Sequence, residues 1–442
     1  MSSIIDNNAE IAYNIREIYS HAPPDKLREL IAKHFIPSKE EKRKNAEVST
    51  PEFLVQDMLE KLPENFYESP KLTLEPCCGK GNFVLGLFDK MYTELATFCS
   101  DEVDRCKLII DHLYYADLTA MNVFITTELL KCHVQSYCGI DSEDFEDTDA
   151  WKFHSHVGNS LTMTQWDHIK FDAVIANPPY NDDTGNKGTG HNIWKNFVEV
   201  GIDKWVKPGG YLLYVNPSVW RQLDHPLLKK MMENQLVYLE IHNFDDGQKT
   251  FKCSTRYDWY LLRKTPYTQN TIIKDEEGIV QTVDLRKWSF IPNMQFSVIE
   301  SLFVQNGEAP VEIIHSESDY EVRRKWMSKV KTETHVHPVV LSIKKEGELA
   351  LSWSNITSKG HYGIPKFIFT NGAGFCNDIK GEYGISQWGS GIVDTPENIP
   401  LIEKAFRSPK FLEIKKAIQV DSSNYNIKIM RLFKKDFWRK FL

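Results

Sequence analysis

The chain has 442 residues, of which 41% are hydrophobic, as is typical of a globular protein with two or three domains. No run of about 18 apolar residues occurs, so no membrane span is expected, and the N-terminal residues lack the basic, apolar and small-residue regions of a secretory signal. The eight cysteines show no CxxC spacing. This pattern argues against structural zinc and a disulfide framework, and favours reduced thiols in a cytoplasmic protein. No metal site is expected.

The charge is unevenly distributed along the chain. The net charge of −8 divides into −11 for residues 1–265 and +3 for residues 266–442, and residues 401–442 alone carry +7. A basic C-terminal part on an acidic body suits a protein that meets phosphates with one end. A solvated helical tail would give the same distribution, and the sequence leaves both interpretations open.

Residues 1–46 are predicted to form an N-terminal helical arm. The segment PPDKLRELIAKHF begins with prolines and carries Leu27, Leu30, Ile31 and Phe35 at helical spacing. The charged run SKEEKRKNAE that follows is predicted to be a linker or the end of that helix.

From residue 47 to residue 265 the pattern alternates between strand and helix. The predicted strands are KLTLEP, LIIDHLYYAD, FDAVIANPP and GYLLYVNP, and the predicted helices are GNFVLGLFDKMYTEL, TAMNVFITTELLK and NIWKNFVEVGIDKWV. Such alternation predicts an α/β fold with a doubly wound, Rossmann-like sheet. Ligands bind such sheets at the carboxyl ends of the strands.

After residue 265 the pattern changes. Residues 266–442 contain short strand-like segments and loops rich in Gly, Ser and Asn, such as FTNGAGFCNDIKGEYGISQWGSG. We therefore predict a separate C-terminal recognition domain of mixed α+β structure, with its boundary at Thr265-Pro266.

The tetrapeptide Asn177-Pro178-Pro179-Tyr180 ends the apolar strand FDAVIA. An exocyclic amine such as adenine N6 is a poor nucleophile, because its lone pair is delocalised into the ring. The side-chain carbonyl of Asn177 and the backbone carbonyl of Pro178 could accept its two N–H bonds and stabilise the positive charge that develops. Pro179 restricts Pro178 to an extended conformation, and Tyr180 offers a flat face for stacking a base. A strand followed by a plain proline turn is the alternative.

The segment Glu75-Pro76-Cys77-Cys78-Gly79-Lys80-Gly81-Asn82-Phe83 lies between a predicted strand and a predicted helix. Gly79 and Gly81 permit positive φ and the close approach of a ligand to the backbone. The dinucleotide pattern GxGxxG is absent, and no GKS or GKT phosphate loop is present. The turn therefore suits a ligand without a phosphate chain, such as S-adenosylmethionine, although a tight turn with no ligand has the same pattern.

With these two motifs in this order, residues 45–265 resemble the amino-methyltransferases of the adenine-N6 DNA type. The likeness is to the subgroup in which the cofactor motif precedes the catalytic motif and a target-recognition domain follows. The resemblance implies a catalytic domain at 47–265 and a DNA-binding recognition domain at 266–442. It implies methyl transfer from S-adenosylmethionine to an adenine flipped out of double-stranded DNA, with Asn177, Pro178, Pro179 and Tyr180 as the catalytic residues.

The resemblance also implies cofactor-binding residues. Thr50 matches the "TP" segment that caps the methionine end, Asp117 matches the acidic residue that holds the ribose hydroxyls, and Asn159-Ser160 matches the adenine-lining segment, where the family often has Asp. The full expected set is Thr50, Glu75, Pro76, Gly79, Gly81, Asn82, Phe83, Asp117, Asn159 and Ser160. Asp101 and Asp104 compete with Asp117, which is preferred because it ends a predicted strand.

The segment FKCSTRYDWYLLRK resembles the family's hairpin that supplies a second aromatic against the target base. Tyr257 or Trp259 would then stack the base together with Tyr180, but both could equally be core aromatics. The loop NDDTGNKGTGHNIW after Tyr180 could close over the flipped base or could be a surface loop. Candidates for reading base edges are Arg323, Arg324, Lys325, Asn371, Asn377, Lys380 and Gln387.

Three functions remain open. The first is a site-specific DNA adenine-N6 methyltransferase, either solitary or part of a restriction-modification system with a separate restriction endonuclease. The second is a methyltransferase acting on an RNA base or a protein glutamine. Such enzymes share the tetrapeptide but usually lack the long C-terminal part seen in this sequence. The third is a binding module that keeps the fold without catalysis, which the intact tetrapeptide and glycine turn disfavour.

Overall fold

The computed structural model describes residues 13–15, 17, 23, 26, 49–181, 192–370, 374–420 and 424–442. Most of the predicted N-terminal arm, most of the predicted closing loop and Asn371 lie outside these residues. The chain divides into two compact units. The N-terminal unit comprises the described residues up to Trp220 together with Asp224–Ser289, and the C-terminal unit comprises Arg221–Leu223 and Phe290–Leu442.

A nine-stranded sheet forms the centre of the N-terminal unit. Its strands are β1 Thr73–Glu75, β2 Leu113–Asp117, β3 His154–Val157, β4 Phe171–Ala176, β5 Val206–Pro217, β6 Gln235–His242, β7 Tyr257–Arg263, β8 Thr271–Lys274 and β9 Val280–Val283. Their order is β3-β2-β1-β4-β5-β7-β6-β8-β9. The first five are parallel neighbours, and β7 is antiparallel to both β5 and β6. The predicted doubly wound α/β fold is confirmed.

Seven α-helices accompany this sheet among the described residues: α1 Glu52–Leu59, α2 Asn82–Glu94, α3 Glu102–His112, α4 Ala120–Cys138, α5 Trp194–Val200, α6 Pro226–Met232 and α7 Phe244–Phe251. Apolar side chains of the first four helices pack with β2, β4, β5, β6 and β7 in one core cluster. No helix in the described part of the chain is long and apolar enough to span a membrane.

The segment LIIDHLYYAD is not a strand throughout, as the sequence had suggested. Its first five residues end α3, and only Leu113–Asp117 is a strand. Asp101 begins α3, because its side chain accepts a hydrogen bond from the Asp104 amide at 2.9 Å. Cys106, Ile109 and Ile110 are buried at helical spacing. The apolar run is therefore shared between a helix and a strand.

The strand order reverses between β1 and β4. From β1 the chain proceeds to β2 and β3 on one side, and then returns to β4 and β5 on the other. Such a reversal opens a crevice at the carboxyl ends of the strands, where α/β proteins bind ligands. Glu75, Asp117 and Ala176 end the three adjacent strands β1, β2 and β4. The predicted cofactor loop and catalytic tetrapeptide follow two of these residues directly.

The N-terminal unit ends at Ser289 and not at the predicted boundary, Thr265-Pro266. Strand β8 pairs in parallel with β6, and β9 pairs with β8. The residues just after Thr265 therefore complete the first sheet. The predicted boundary rested on a change in local composition, which does not report how strands pair over a distance.

The C-terminal unit contains two four-stranded sheets. Its strands are β10 Ile313–Ile314, β11 Met327–Ser328, β12 His337–Ile343, β13 Leu349–Ser354, β14 Lys366–Thr370, β15 Phe375–Asp378, β16 Gly384–Ile385 and β17 Gly389–Val393. The two orders are β10-β17-β14-β15 and β11-β13-β12-β16. The described part of this unit also contains four α-helices: α8 Phe296–Glu300, α9 Ile399–Arg407, α10 Pro409–Ala417 and α11 Ile427–Met430. The mixed α+β structure predicted for this part is confirmed.

A buried ion pair lies between β14 and β15. Lys366 Nζ contacts Asp378 Oδ2 at 2.6 Å and donates to the carbonyl of His361 at 2.7 Å. The side chains of both ionised residues are at most 1% exposed. Burial lowers the pKa of Lys366, while Asp378 opposes that shift. Burial also lowers the pKa of His361 to about 4, so this imidazole is neutral at pH 7.

We expect Lys366→Met to destabilise the C-terminal unit by about 3–5 kcal/mol, because the Asp378 carboxylate would stay buried without its cation. Lys344→Met is the control, since Lys344 pairs with Glu348 at an exposed position and such pairs contribute about 1 kcal/mol or less. The free energy of unfolding in denaturant measures both. Equal effects of the two substitutions would contradict a structural role for the buried pair.

Candidate active site

The loop after β1 is held in a conformation that requires glycine. Gly79 and Gly81 have φ values of 51° and 91°. A Cβ atom on Gly81 would lie 3.2 Å from Thr126 Cγ2, whereas a Cβ on Gly79 would meet no described atom within 4 Å. The amide of Cys78 donates to the carbonyl of Ala116 at 2.8 Å, which fixes the loop to β2. The open space beside Gly79 lets a ligand approach the backbone.

Asp117 connects the end of β2 to this loop. Its Oδ2 accepts a hydrogen bond from the Gly79 amide at 3.0 Å, and its Oδ1 accepts from the Thr119 amide at 2.8 Å and from Asn122 Nδ2 at 3.1 Å. Burial raises the pKa of Asp117 above its ordinary value, while these hydrogen bonds oppose the shift. A carboxylate has about four acceptor positions, so capacity remains for a ligand hydroxyl.

The competing residues Asp101 and Asp104 lie at the beginning of α3, where they form its N-terminal cap. Asp117 alone of the three is bonded to the glycine loop. Its place in the structure therefore matches the preference for Asp117 as the acidic residue of the cofactor site, and its contact with a ribose stays a prediction.

Glu75 is a buried carboxyl group with an incomplete set of partners. Only 1% of the residue is exposed, and its Oε1 accepts from the Cys77 amide at 3.3 Å. Its Oε2 is buried and has no hydrogen-bond partner among the described residues. Burial raises the pKa of Glu75 well above its ordinary value, and Asp117 adds to the shift. A buried oxygen of this kind needs an explanation, and a donor group of a bound ligand would supply one.

The segment after β3 also reaches the glycine loop. Ser160 Oγ donates to the carbonyl of Pro76 at 2.5 Å, and the Gly158 amide donates to the carbonyl of Asp117 at 2.9 Å. The side chain of Asn159 accepts from the Leu161 amide at 3.0 Å. The structure thus brings Asn159-Ser160 beside the loop, and their contact with an adenine stays a prediction.

Asn177 follows directly on β4 and is half-buried. Its Nδ2 donates to Thr50 Oγ1 at 3.1 Å. Thr50 is 5% exposed, and its carbonyl accepts from Asn82 Nδ2 at 2.6 Å. Asn82 Nδ2 also lies 3.0 Å from Ser49 Oγ. A chain of contacts therefore runs from the first residue of α2 through Thr50 to Asn177, and it orients the Asn177 amide with Oδ1 as its acceptor end.

The side chains of Asn82 and Phe83 face protein neighbours. Asn82 contacts Ser49 and Thr50, and Phe83 is 5% exposed in the core cluster. The structure thus shows a packing or bridging contact for each of these two predicted cofactor residues. The predicted contact with the cofactor remains untested for both.

The predicted stacking aromatics differ in exposure. Tyr180 is half-buried, and burial raises its pKa above the ordinary value. Tyr257 and Trp259 are each 1% exposed. Tyr257 stacks on His242 with ring centroids 4.3 Å apart, and Trp259 packs 5.0 Å from Tyr238. Six of the seven residues of β7 are buried, so both rings lie in the core of this structure. The prediction that Tyr257 or Trp259 stacks on the target base remains untested.

Two residues that support the loop were not predicted from the sequence. Thr126 Oγ1 donates to the carbonyl of Gly79 at 3.1 Å, and Asn122 contacts Asp117. Both are at most 2% exposed and lie on α4. They are four residues apart, so they lie on the same face of the helix. The described residues contain no group of His, Cys, Asp and Glu that could hold a metal ion.

Three solved structures align with parts of this chain at low sequence identity. A protein described as a class I S-adenosylmethionine-dependent methyltransferase from Listeria monocytogenes is 15% identical, with 58% of this chain and 75% of that chain aligned at a TM-score of 0.39. A type I methyltransferase subunit from Streptococcus thermophilus is 16% identical, covering 54% and 50% at 0.34. The type IIL restriction-modification enzyme MmeI in complex with DNA is 11% identical, covering 90% and 63% at 0.40.

No curated protein matches the sequence. Residues 111–251 match the family model of the Eco57I restriction-modification methylases. The matched segment contains Asp117, Asn159-Ser160 and the tetrapeptide Asn177–Tyr180, and it begins after the glycine loop. This match agrees with the prediction of S-adenosylmethionine as the cofactor. Residues 111–251 of this chain are therefore similar to the Eco57I restriction-modification methylases, in the part that carries the catalytic tetrapeptide.

Proposed function

We propose that this protein transfers a methyl group from S-adenosylmethionine to the N6 amine of adenine in double-stranded DNA. The observation that carries the proposal is the Asn177 amide at the carboxyl end of β4, oriented by Thr50 at 3.1 Å and placed next in the sheet to the glycine loop after β1. The enzyme would act alone or in a restriction-modification system with a separate endonuclease.

The residues of the loop fit the cofactor. Glu75 Oε2, which has no hydrogen-bond partner among the described residues, could accept a hydrogen bond from the cofactor. Asp117 could accept further hydrogen bonds from hydroxyl groups. Gly79 leaves space for the ligand against the backbone. Thr50, next to the catalytic amide, would lie at the methionine end. The cofactor supplies the electrophilic methyl group on a sulfonium. The protein contributes by binding the cofactor and the target amine and orienting them towards each other.

Asn177 Oδ1 and the backbone carbonyl of Pro178 would accept the two N–H bonds of the target amine. Both interactions strengthen as positive charge develops on the nitrogen, so they stabilise the transition state more than the ground state. After the methyl group is transferred, the extra proton leaves the cationic amine to water, and no general base is needed. Tyr180, the half-buried last residue of the tetrapeptide, would offer its ring to the base.

An adenine inside the duplex does not reach such a site, because its amine is paired and stacked. The proposed reaction therefore requires the nucleotide to leave the helix and enter the crevice. The choice of sequence would fall to the C-terminal unit, whose last residues, 401–442, carry a charge of +7. An RNA base or a protein glutamine would share the same amide chemistry, and the identity of the methylated product distinguishes them.

We expect Asn177→Ala to lower methyl transfer from labelled S-adenosylmethionine to DNA by a factor of about 10²–10³, because one of two charge-stabilising acceptors is lost. Cofactor affinity should change little. Asn196→Ala is the matched control, since Asn196 is an exposed asparagine of α5. Full activity of Asn177→Ala would contradict the assigned role, as would an equal loss in both variants.

Thr50→Val should lower turnover at saturating cofactor and DNA by about tenfold, the effect of losing one hydrogen bond. Thr50→Ser keeps the hydroxyl and should retain most of the activity. A rise in the cofactor dissociation constant with unchanged turnover would show instead that the hydroxyl serves the cofactor and not Asn177.

Acidification should weaken cofactor binding at a pH above the one at which an ordinary aspartate becomes protonated. The pKa of Asp117 is raised by burial, so the acceptor carboxylate is protonated at a higher pH than the usual value of 3.8. The dissociation constant should rise as the pH falls through that raised pKa. Asp117→Asn should bind more weakly and lack this component, and the same pH profile in both proteins would assign the effect to another group, such as Glu75.

A further inference from the structure

A cleft of about 700 Å³ opens within the C-terminal unit. Its walls come from the turn before β17, the end of β14, the start of α11 and the segment His315–Glu317. Clefts of this size hold small organic ligands. The methyl-transfer step itself uses none of these residues, so the cleft needs an explanation of its own.

A rigid β-turn forms one wall of the cleft. The Gly389 amide donates to the carbonyl of Ser386 at 3.1 Å, which places Gln387 and Trp388 at the two central positions of the turn. The Ser386 amide donates to the carbonyl of Val340 on β12 at 3.1 Å. The two central side chains are therefore presented from a fixed backbone, and little ordering is needed when a ligand binds.

These two side chains are unusual for a surface turn. Trp388 is 48% exposed, although tryptophan is normally well buried. Gln387 Oε1 is buried and has no hydrogen-bond partner among the described residues. An exposed indole offers a face for stacking, and an amide offers an acceptor and donors for the edge of a base. The pair matches a flat ligand with hydrogen-bonding edges.

Two cations stand on another wall of the same cleft. Lys428 lies on α11 and Arg431 follows that helix, and both are exposed. Arg431 also donates to the carbonyl of Ile313 at 3.1 Å, which restrains its guanidinium. Glu317 is the single carboxylate among the described lining residues. The lining therefore favours an anionic group near α11.

We propose that this cleft binds a nucleotide, with its base stacked on Trp388, the base edge on Gln387 and the phosphate near Lys428 and Arg431. A stacking face, a free amide and two cations together match the parts of a nucleotide. The nucleotide belongs either to the DNA strand or to a free mononucleotide. In the first case the cleft rests on the proposed function and deepens it, because Gln387 then helps to set the target sequence.

The test uses the full-length protein with Trp388→Ala and Gln387→Leu. Trp353→Ala is the matched control, because Trp353 belongs to β13 of the same unit and does not line the cleft. Dissociation constants are measured for duplex DNA and, separately, for deoxymononucleotides. Thermal unfolding shows that each variant is folded.

If the nucleotide comes from DNA, Trp388→Ala should weaken DNA binding by about tenfold or more, and Gln387→Leu should relax the methylated motif at one position. If it is a free mononucleotide, that affinity should fall while DNA binding is unchanged. In both cases Trp353→Ala should stay within about twofold of the wild type. Unchanged affinities for both ligands in folded Trp388→Ala and Gln387→Leu would overturn the proposal.

Failure of this proposal is distinguishable from failure of the proposed methylation. Wild-type protein that binds a nucleotide through Trp388 but leaves DNA unmethylated would contradict the proposed methylation and support nucleotide binding in the cleft. If the wild-type protein methylates adenine, and the folded cleft variants bind and methylate as the wild type does, only the proposal for the cleft is contradicted.

Discussion

Three adjacent parallel strands, β2, β1 and β4, end at one edge of the sheet, and the proposed chemistry depends on the residues that end or follow them. Asp117 ends β2, the glycine loop follows Glu75 on β1, and Asn177 follows β4. Parallel strands bring these residues together although they are far apart in sequence. The reversal of strand order between β1 and β4 keeps the crevice between them open.

Buried polar groups lie at this edge of the sheet. Taking a carboxyl group out of water is unfavourable unless hydrogen bonds replace the lost solvation. Asp117 has such partners in Gly79, Thr119 and Asn122. Glu75 is only partly satisfied, with one oxygen lacking a partner among the described residues. The protein thus carries a desolvation cost at Glu75 that binding of a ligand donor would relieve.

Local sequence patterns were sufficient to locate the two motifs that consist of consecutive residues. A GxG turn between strand and helix, and a tetrapeptide at the end of an apolar strand, could be located without a structure. Distant pairing could not be predicted: Asn177 meets Thr50 across 127 residues of chain. For the same reason the sequence could not predict that Tyr257 and Trp259 are buried. Only the pairing of β7 with both β5 and β6 shows that this strand is central. The boundary between the two units was likewise not predictable, because β8 and β9 pair with the first sheet and the N-terminal unit therefore extends to Ser289.

The most direct test of the account is the modification state of DNA in a cell that lacks adenine methylation and expresses this chain. Modification-sensitive sequencing of its genome should reveal N6-methyladenine at one short motif, and none when the expressed chain carries Asn177→Ala. That result would identify the reaction, the target sequence and the catalytic amide together. A folded, cofactor-binding protein that leaves every adenine unmodified would contradict the central claim and direct attention to RNA or protein substrates.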